Sequence, residues 1–304
     1  MSTPKVVEKQ VPAAAQSPIR FAWLELTPNC QLTCEHCYVA SRPGLGHGKL
    51  RVSDWKRAID ELRLLGVQNV QFIGGEPTTH PHFCDLVEYA AERGFSIEVF
   101  SNLVGITPRM WDLFERHNVR IATSFYSIAA RIHESITHLP GSYEKTVGNI
   151  KRALALGLTL RVGIIDIRDD QDVQGARAFL ERLGVDPNQL GIDRVRGVGR
   201  GYELSKEDAE SALCGKCTSG RCVVTAEGTV YPCIMARAFP VGSVLEQSIE
   251  DILTGDTFRS TVAHLDTAFA ARDRDSLSCT PTCNPYCTPG CNPGCNPNCS
   301  PGRC

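Results

Sequence analysis

Between residues 21 and 195, short apolar runs alternate with stretches in which apolar residues recur every three or four positions. The runs at 21–27, 67–73, 95–101, 119–126, 158–167 and 190–195 read as strands, carried by Val, Ile, Leu and Phe. The stretches at 53–65, 81–93, 107–117, 143–156 and 171–183 read as helices. In the first of these, Trp55, Ile59 and Leu62 form one apolar stripe, and Ser53 is a suitable N-cap. Pro108 sits where a helix tolerates proline, at its first position, and Gly94 and Gly157 stand where helices stop. Six strands with a helix between successive ones imply an α/β fold of parallel strands joined by helical crossovers. Periodicity alone does not choose between an open sheet and a barrel.

The flanks differ. Residues 1–17 read as a flexible lead-in, and 206–275 as a mixed segment. Within the latter, Thr225 to Cys233 reads as a hairpin around Glu227-Gly228. Residues 276–304 carry a tetrapeptide repeat (CTPT, CNPY, CTPG, CNPG, CNPN, CSPG) in which proline every fourth residue forbids an ordinary helix. Such a tail reads either as a source of metal ligands or as a low-complexity end.

Composition narrows the function. With 42% hydrophobic and 22% charged residues over 304 positions, the chain reads as soluble and globular. Lys+Arg 32 against Asp+Glu 34 leaves a net charge of −2, which disfavours a nucleic-acid partner. No apolar run is long enough for a membrane helix, and the start lacks the apolar core of a signal peptide, so a cytoplasmic protein is expected. Cysteine is the anomaly: there are 15, and in a cytoplasmic chain such a count points to metal or redox chemistry. Cys84 stands alone among Phe83, Leu86 and Val87 and reads as a buried core thiol.

The other cysteines are grouped. Cys30, Cys34 and Cys37 follow the first strand on one loop, where three thiolates could hold three irons of a [4Fe–4S] cluster or part of a zinc site. Cys214, Cys217, Cys222 and Cys233 form a second local set, readable as an auxiliary cluster or a zinc knuckle. After the second strand comes Gly74-Gly75-Glu76-Pro77.

The C-x3-C-x2-C loop after strand one and the GGEP turn after strand two together resemble the radical S-adenosylmethionine (SAM) superfamily. The wording C-x-L-x-C-x-H-C-Y is similar to members with a SPASM or twitch auxiliary-cluster domain. Cys217-x10-Gly228-x4-Cys233 fits the opening of that domain, whereas its full later pattern gives way to the regular repeat. The resemblance implies a partial (β/α)6 TIM-like barrel over 18–205, with a small C-terminal Cys-rich auxiliary-cluster domain over 206–275. It implies a [4Fe–4S] cluster on Cys30, Cys34 and Cys37 with SAM on its open iron, a second [4Fe–4S] cluster, and a flavodoxin- or ferredoxin-type electron donor. On the same basis Gly74, Gly75, Glu76 and Pro77 would hold the methionine end of SAM, with Glu76 at its ammonium. His36 would lie beside the adenine, Ser101 and Asn102 by the ribose, and Arg196 or Arg200 would face the carboxylate.

Alternation along each strand nominates Glu25, Gln71, Glu98, Ser124, Tyr126, Arg161 and Arg194 as polar lumen residues. A lumen of carboxylates and arginines suits a small polar substrate. The resemblance then tilts towards tailoring enzymes of sugars, cyclitols and nucleosides, with decarboxylation of a uronic-acid-type substrate preferred over oxidation or epimerisation. Arg161 and Arg194 would hold the carboxylate, Tyr126 would donate hydrogen and Glu98 would act as base. Only 20 residues precede the first strand, too few for the leader-binding domain common in peptide maturases. Peptide maturation remains the alternative enzyme reading, and a metal-handling Cys-rich protein the non-enzymatic one.

Overall fold

The computed structural model describes residues 19–271. Six parallel strands follow one another across a sheet: β1 (Phe21–Glu25), β2 (Asn69–Ile73), β3 (Ser96–Phe100), β4 (Arg120–Phe125), β5 (Leu160–Asp166) and β6 (Leu190–Arg194). The crossovers are α1 (Val52–Leu64), α2 (Phe83–Glu92), α3 (Pro108–Arg116), the pair α4 (Ala130–Thr137) and α5 (Ser142–Ala155), and α6 (Val173–Leu183). After the short α7 (Gly201–Ser205), β7 (Arg221–Thr225) pairs in parallel with the free side of β1. It turns through β8 (Thr229–Tyr231) and β9 (Gly242–Ser243), extending the sheet antiparallel. Helices α8 (Ile249–Thr254) and α9 (Asp256–Ala271) complete the described chain.

Strand alternation sorts the side chains. Ala22, Leu24, Val70, Phe72, Ile97, Val99, Val162 and Ile164 face the helices and join one apolar core with Trp55, Phe83, Phe114 and their neighbours. The other face carries Trp23, Gln71, Glu98 and Arg161 and forms the lumen. The hairpin at Glu227-Gly228 forms as expected, Gly228 adopting a φ of 86° that a side chain would resist. Among the described residues, no helix is long and apolar enough to cross a membrane.

Three local features depart from expectation. Ser53 lies inside α1, and Arg51 is the N-cap; Asp54 closes the turn by accepting the Arg51 N–H at 3.0 Å. The first-turn carboxylate takes the N–H of the N-cap residue itself, the half of a capping box that a serine cap does not supply. Helix α4 was not expected, because eight residues with three buried side chains give too little periodicity to read. Cys84 is half-buried at the edge of the main core rather than inside it. The tail cysteines from Cys279 to Cys304 and the lead-in at 1–17 lie outside the described residues.

Candidate functional site

A cavity of about 130 Å³ opens at the C-terminal ends of the strands, where chemistry sits in barrels of this kind. Its walls include Ile73, Phe100, Ser124, Ile165 and Arg194 from β2 to β6, and all three cysteines of the first loop. That loop is held from three sides. The N–H groups of Thr33 and Glu35 donate to the Thr137 and Ile136 carbonyls at 3.1 and 3.2 Å, at the C-terminal end of α4. Arg200 donates from Nε to the Cys34 carbonyl and from Nη2 to the Ser41 carbonyl, both at 2.8 Å. Arg168 pairs with Glu35 and also reaches the Ser135 hydroxyl at 3.2 Å. Neither α4 nor the Arg168–Glu35 pair was visible in the sequence; a charged residue inside the C-x3-C-x2-C loop was the only hint.

The thiols are poised for a cationic centre. Backbone N–H groups of Leu32 and Ser41 point at the Cys30 and Cys37 sulfurs at 3.3 Å. Burial pushes the Cys30 thiol up to about 12 and the Cys34 thiol higher still. Thiolates this shielded from water form only against a positive partner, so the donor set suits iron–sulfur ligation. Cys34 also lies beside the Tyr126 hydroxyl, which Ser124 contacts as well.

The GGEP turn packs backbone on backbone. Gly75 N–H donates to the Thr27 carbonyl at 2.7 Å and Glu76 N–H to the Asn29 carbonyl at 2.8 Å. A Cβ on Gly75 would lie 2.4 Å from the Asn29 oxygen, and one on Gly74 would lie 2.5 Å from the Thr27 oxygen. Both glycines line the cavity, so a ligand can approach their backbone closely. Gly75→Ala is therefore expected to weaken SAM binding in equilibrium dialysis and to destabilise the fold by about 1–3 kcal/mol, with the iron content kept. Unchanged SAM affinity in a folded variant would count against this cradle.

Glu76 is fully buried behind that turn. One carboxylate oxygen accepts from Thr78 Oγ1 at 2.6 Å, the other from the Asn102 N–H at 2.7 Å. Burial raises its pKa, and these bonds partly offset the rise. Pro77 is buried at the start of the 3-10 turn that follows. Ser101 accepts the Leu103 N–H on its hydroxyl at 3.0 Å, while Asn102 lines the cavity. His36 also lines it, edge-on to Tyr126 with ring centroids 5.1 Å apart. Its Nδ1 is buried without a partner among the described residues, and burial pulls its pKa down to about 4, so the ring is neutral near pH 7. A neutral ring suits contact with a flat heterocycle. Of the two arginines expected at the SAM carboxylate, Arg196 lines the cavity while paired to Asp193 at 2.9 Å. Arg200 turns away to clasp the loop.

The expected substrate groups are placed differently. Glu98 and Arg161 pair at 2.8 Å, with Gln71 donating to the same Glu98 oxygen, one residue layer beneath the cavity wall. Neither Glu98 nor Arg161 lines the cavity. Arg194 does, but its side chain is 44% exposed and pairs with Glu207. Glu25 pairs with Arg237, whose guanidinium lies against the rings of Tyr38 and Tyr231 and ties the hairpin to β1. Tyr126 lines the cavity as expected of a lumen residue.

The second cysteine set divides. Cys214, Cys217 and Cys233 lie within hydrogen-bonding reach as a chain, with Cys217 in the middle. Sharing protons within the trio holds Cys214 and Cys233 below the usual thiol range and Cys217 above it. Cys222 does not join them. Alternation along β7 turns it with Val224 into the outer core, while Val223 faces the Cys217–Cys233 side. Of the four cysteines expected from spacing, the structure brings three together and places Cys222 in the other core cluster. The end of α9 comes to the trio instead: Leu265 and Phe269 pack with Cys217 and Cys233, and Thr218 donates to Asp266 at 2.7 Å.

Comparison with known proteins agrees with this geometry. The sequence model of the Radical SAM superfamily matches residues 24–180, and that of an iron–sulfur cluster-binding domain, SPASM, matches 214–292. An AdoMet-dependent heme synthase of Methanosarcina barkeri is 30% identical over 140 residues, 46% of this chain and 40% of that protein. The mycofactocin maturase MftC of Mycobacterium tuberculosis is 29% identical over 204 residues, 66% of this chain and 50% of that one. The PqqA peptide cyclase of Rhodopseudomonas palustris is 29% identical over 178 residues, 58% and 47%. The chain thus spans about half the length of the relatives it matches. Among solved structures, Streptococcus suis SuiB bound to precursor peptide SuiA aligns with a TM-score of 0.68 at 12% identity, over 80% of this chain and 66% of that one, a likeness of fold. The three-thiol loop, the glycine cradle and the family match over just over half the chain make this protein a member of the radical SAM superfamily, a partial (β/α)6 barrel carrying a SPASM iron–sulfur domain.

Proposed function

We propose that this radical SAM enzyme acts on a peptide, as a maturase of a ribosomally made precursor. The kinship with MftC and with a PqqA peptide cyclase, at 29% identity each, carries the reading. When bound, the cluster and SAM supply a 5′-deoxyadenosyl radical that takes a hydrogen atom from the substrate.

The lumen supports the same choice. The preference for a uronic acid rested on arginines free to hold a carboxylate. Each of those cations has an acid of its own: Arg161 has Glu98 and Arg194 has Glu207. Recruiting one would strand a buried or half-buried carboxylate, which is costly. Phe100, Ile165, Val195, Ile234 and Met235 leave a wall suited to an uncharged side chain. Within this reading Tyr126, beside Cys34 and His36, is the side chain placed to touch a substrate at the cavity wall. Glu98 and Arg161 shape the floor, and a reduced flavodoxin or ferredoxin delivers the electron.

The test is isotope transfer. Reconstituted enzyme, SAM and reductant are incubated with deuterated Cys- or Tyr-rich peptides, uronic-acid nucleosides and aminocyclitols. Deuterium is expected in 5′-deoxyadenosine from a peptide alone. Transfer from a sugar or cyclitol, and from no peptide, would return the enzyme to the small-molecule branch.

A further inference from the structure

Asn102 follows β3 and stands between the two halves of the site. Its Nδ2 lies 3.6 Å from the Cys30 sulfur, an ordinary separation for N–H···S given the radius of sulfur. The orientation of an amide is normally ambiguous, but here the network settles it. The Val104 N–H, which can only donate, sits 2.9 Å from Oδ1, and Gln31 Nε2 meets the same oxygen at 3.0 Å. The oxygen is thus committed to those two donors, and the NH2 faces Cys30. The Asn102 backbone N–H meanwhile grips Glu76 at 2.7 Å.

The turn that holds this pose is built under strain. Leu103 is fully buried with a φ of 60°, a left-handed conformation that a bulky residue rarely adopts. It is held there because its N–H donates to Ser101 Oγ at 3.0 Å and its carbonyl accepts from Asn149 at 2.6 Å. Thr146 Oγ1 donates to the Asn102 carbonyl at 3.0 Å. The surroundings therefore over-determine where this one amide points.

We propose that Asn102 is a positioning residue that raises the reduction potential of the radical cluster, by donating its side-chain amide to the Cys30 thiolate. The reduced cluster carries more negative charge on its sulfurs than the oxidised one. A donor aimed at a ligand sulfur therefore favours reduction. This role differs from contact with the SAM ribose, which the sequence suggested for the residue. It takes the cluster on Cys30, Cys34 and Cys37 as given and is independent of whether the substrate is a peptide.

The experiment is a redox titration of the full-length reconstituted protein, followed by electron paramagnetic resonance. The signal perturbed by SAM distinguishes the radical cluster from an auxiliary one. In Asn102→Ala the iron content should hold. At the wild-type midpoint the reduced-to-oxidised ratio should fall about tenfold, the worth of one charge-assisted hydrogen bond. Asn102→Asp keeps an acceptor for Val104 and Gln31 but turns an oxygen anion towards the sulfur, so its ratio should fall further. An unchanged ratio in either iron-loaded variant would overturn the proposal. If Asn102→Ala fails to hold iron, Asn102→Asp decides, because its shape and clamps are native. Loss of the cluster in Asn102→Asp as well would make the residue a structural element and overturn the tuning role.

Discussion

Alanine at Cys30, Cys34 or Cys37 is expected to abolish 5′-deoxyadenosine formation, by more than about 100-fold, since even the hydrogen-bonding partners of metal ligands typically cost about 10–100-fold. The reason is geometric. The loop is fixed by carbonyls of α4 and by Arg168 and Arg200, so a neighbouring residue cannot swing in as a substitute ligand. Three thiols leave one iron of a cubane free for SAM, and two cannot hold the cube in place. Each single variant should remain folded by circular dichroism, because the braces are backbone bonds and ion pairs that do not use sulfur. The reading is 5′-deoxyadenosine and methionine released per hour under reductant, in the absence of substrate. Cleavage at the wild-type rate in the triple variant would remove the radical cluster from this loop.

The strand–helix alternation was readable in the sequence because each crossover helix buries one face on a sheet that is itself buried. Both periodicities are therefore strong. The cluster loop and the glycine turn were readable because their chemistry admits few residue types. What stayed hidden depends on contacts remote in sequence. Nothing local says that Glu98 spends its charge on Arg161, 63 positions away, or Glu25 on Arg237, 212 positions away. Counting polar lumen residues along strands found these groups correctly, yet assigned them to a substrate because their partners lay far away in the sequence. Cys222 shows the same limit on a smaller scale. Its spacing fits the second cysteine set, while the alternation of the strand it sits on, read in the same way as for β1 to β6, turns it away.

Separating Cys217 from Cys222 gives the second large expected effect. If Cys214, Cys217 and Cys233 ligate the auxiliary cluster, reconstituted protein should bind about eight irons, two cubanes' worth. Cys217→Ala or Cys233→Ala should then lose about half of that iron, and lose with it the auxiliary electron paramagnetic resonance signal. Cys222→Ala should keep all of it. Its thiol is fully buried among Ala22, Leu24 and Val224, where it acts as a small apolar side chain, so the cost is stability alone, about 1–3 kcal/mol. Equal iron loss in Cys222→Ala and Cys217→Ala, both folded, would restore the four-cysteine set read from spacing. Three thiols leave a fourth ligand to find. If the repeat after Leu277 supplies it, within the iron–sulfur domain match that runs to residue 292, removing the repeat removes a ligand. A chain cut after Leu277 should accordingly lose auxiliary iron and melt at a lower temperature, since a bound cluster stabilises only the folded state. Truncation that changes neither iron nor melting would assign the fourth coordination position to some other group.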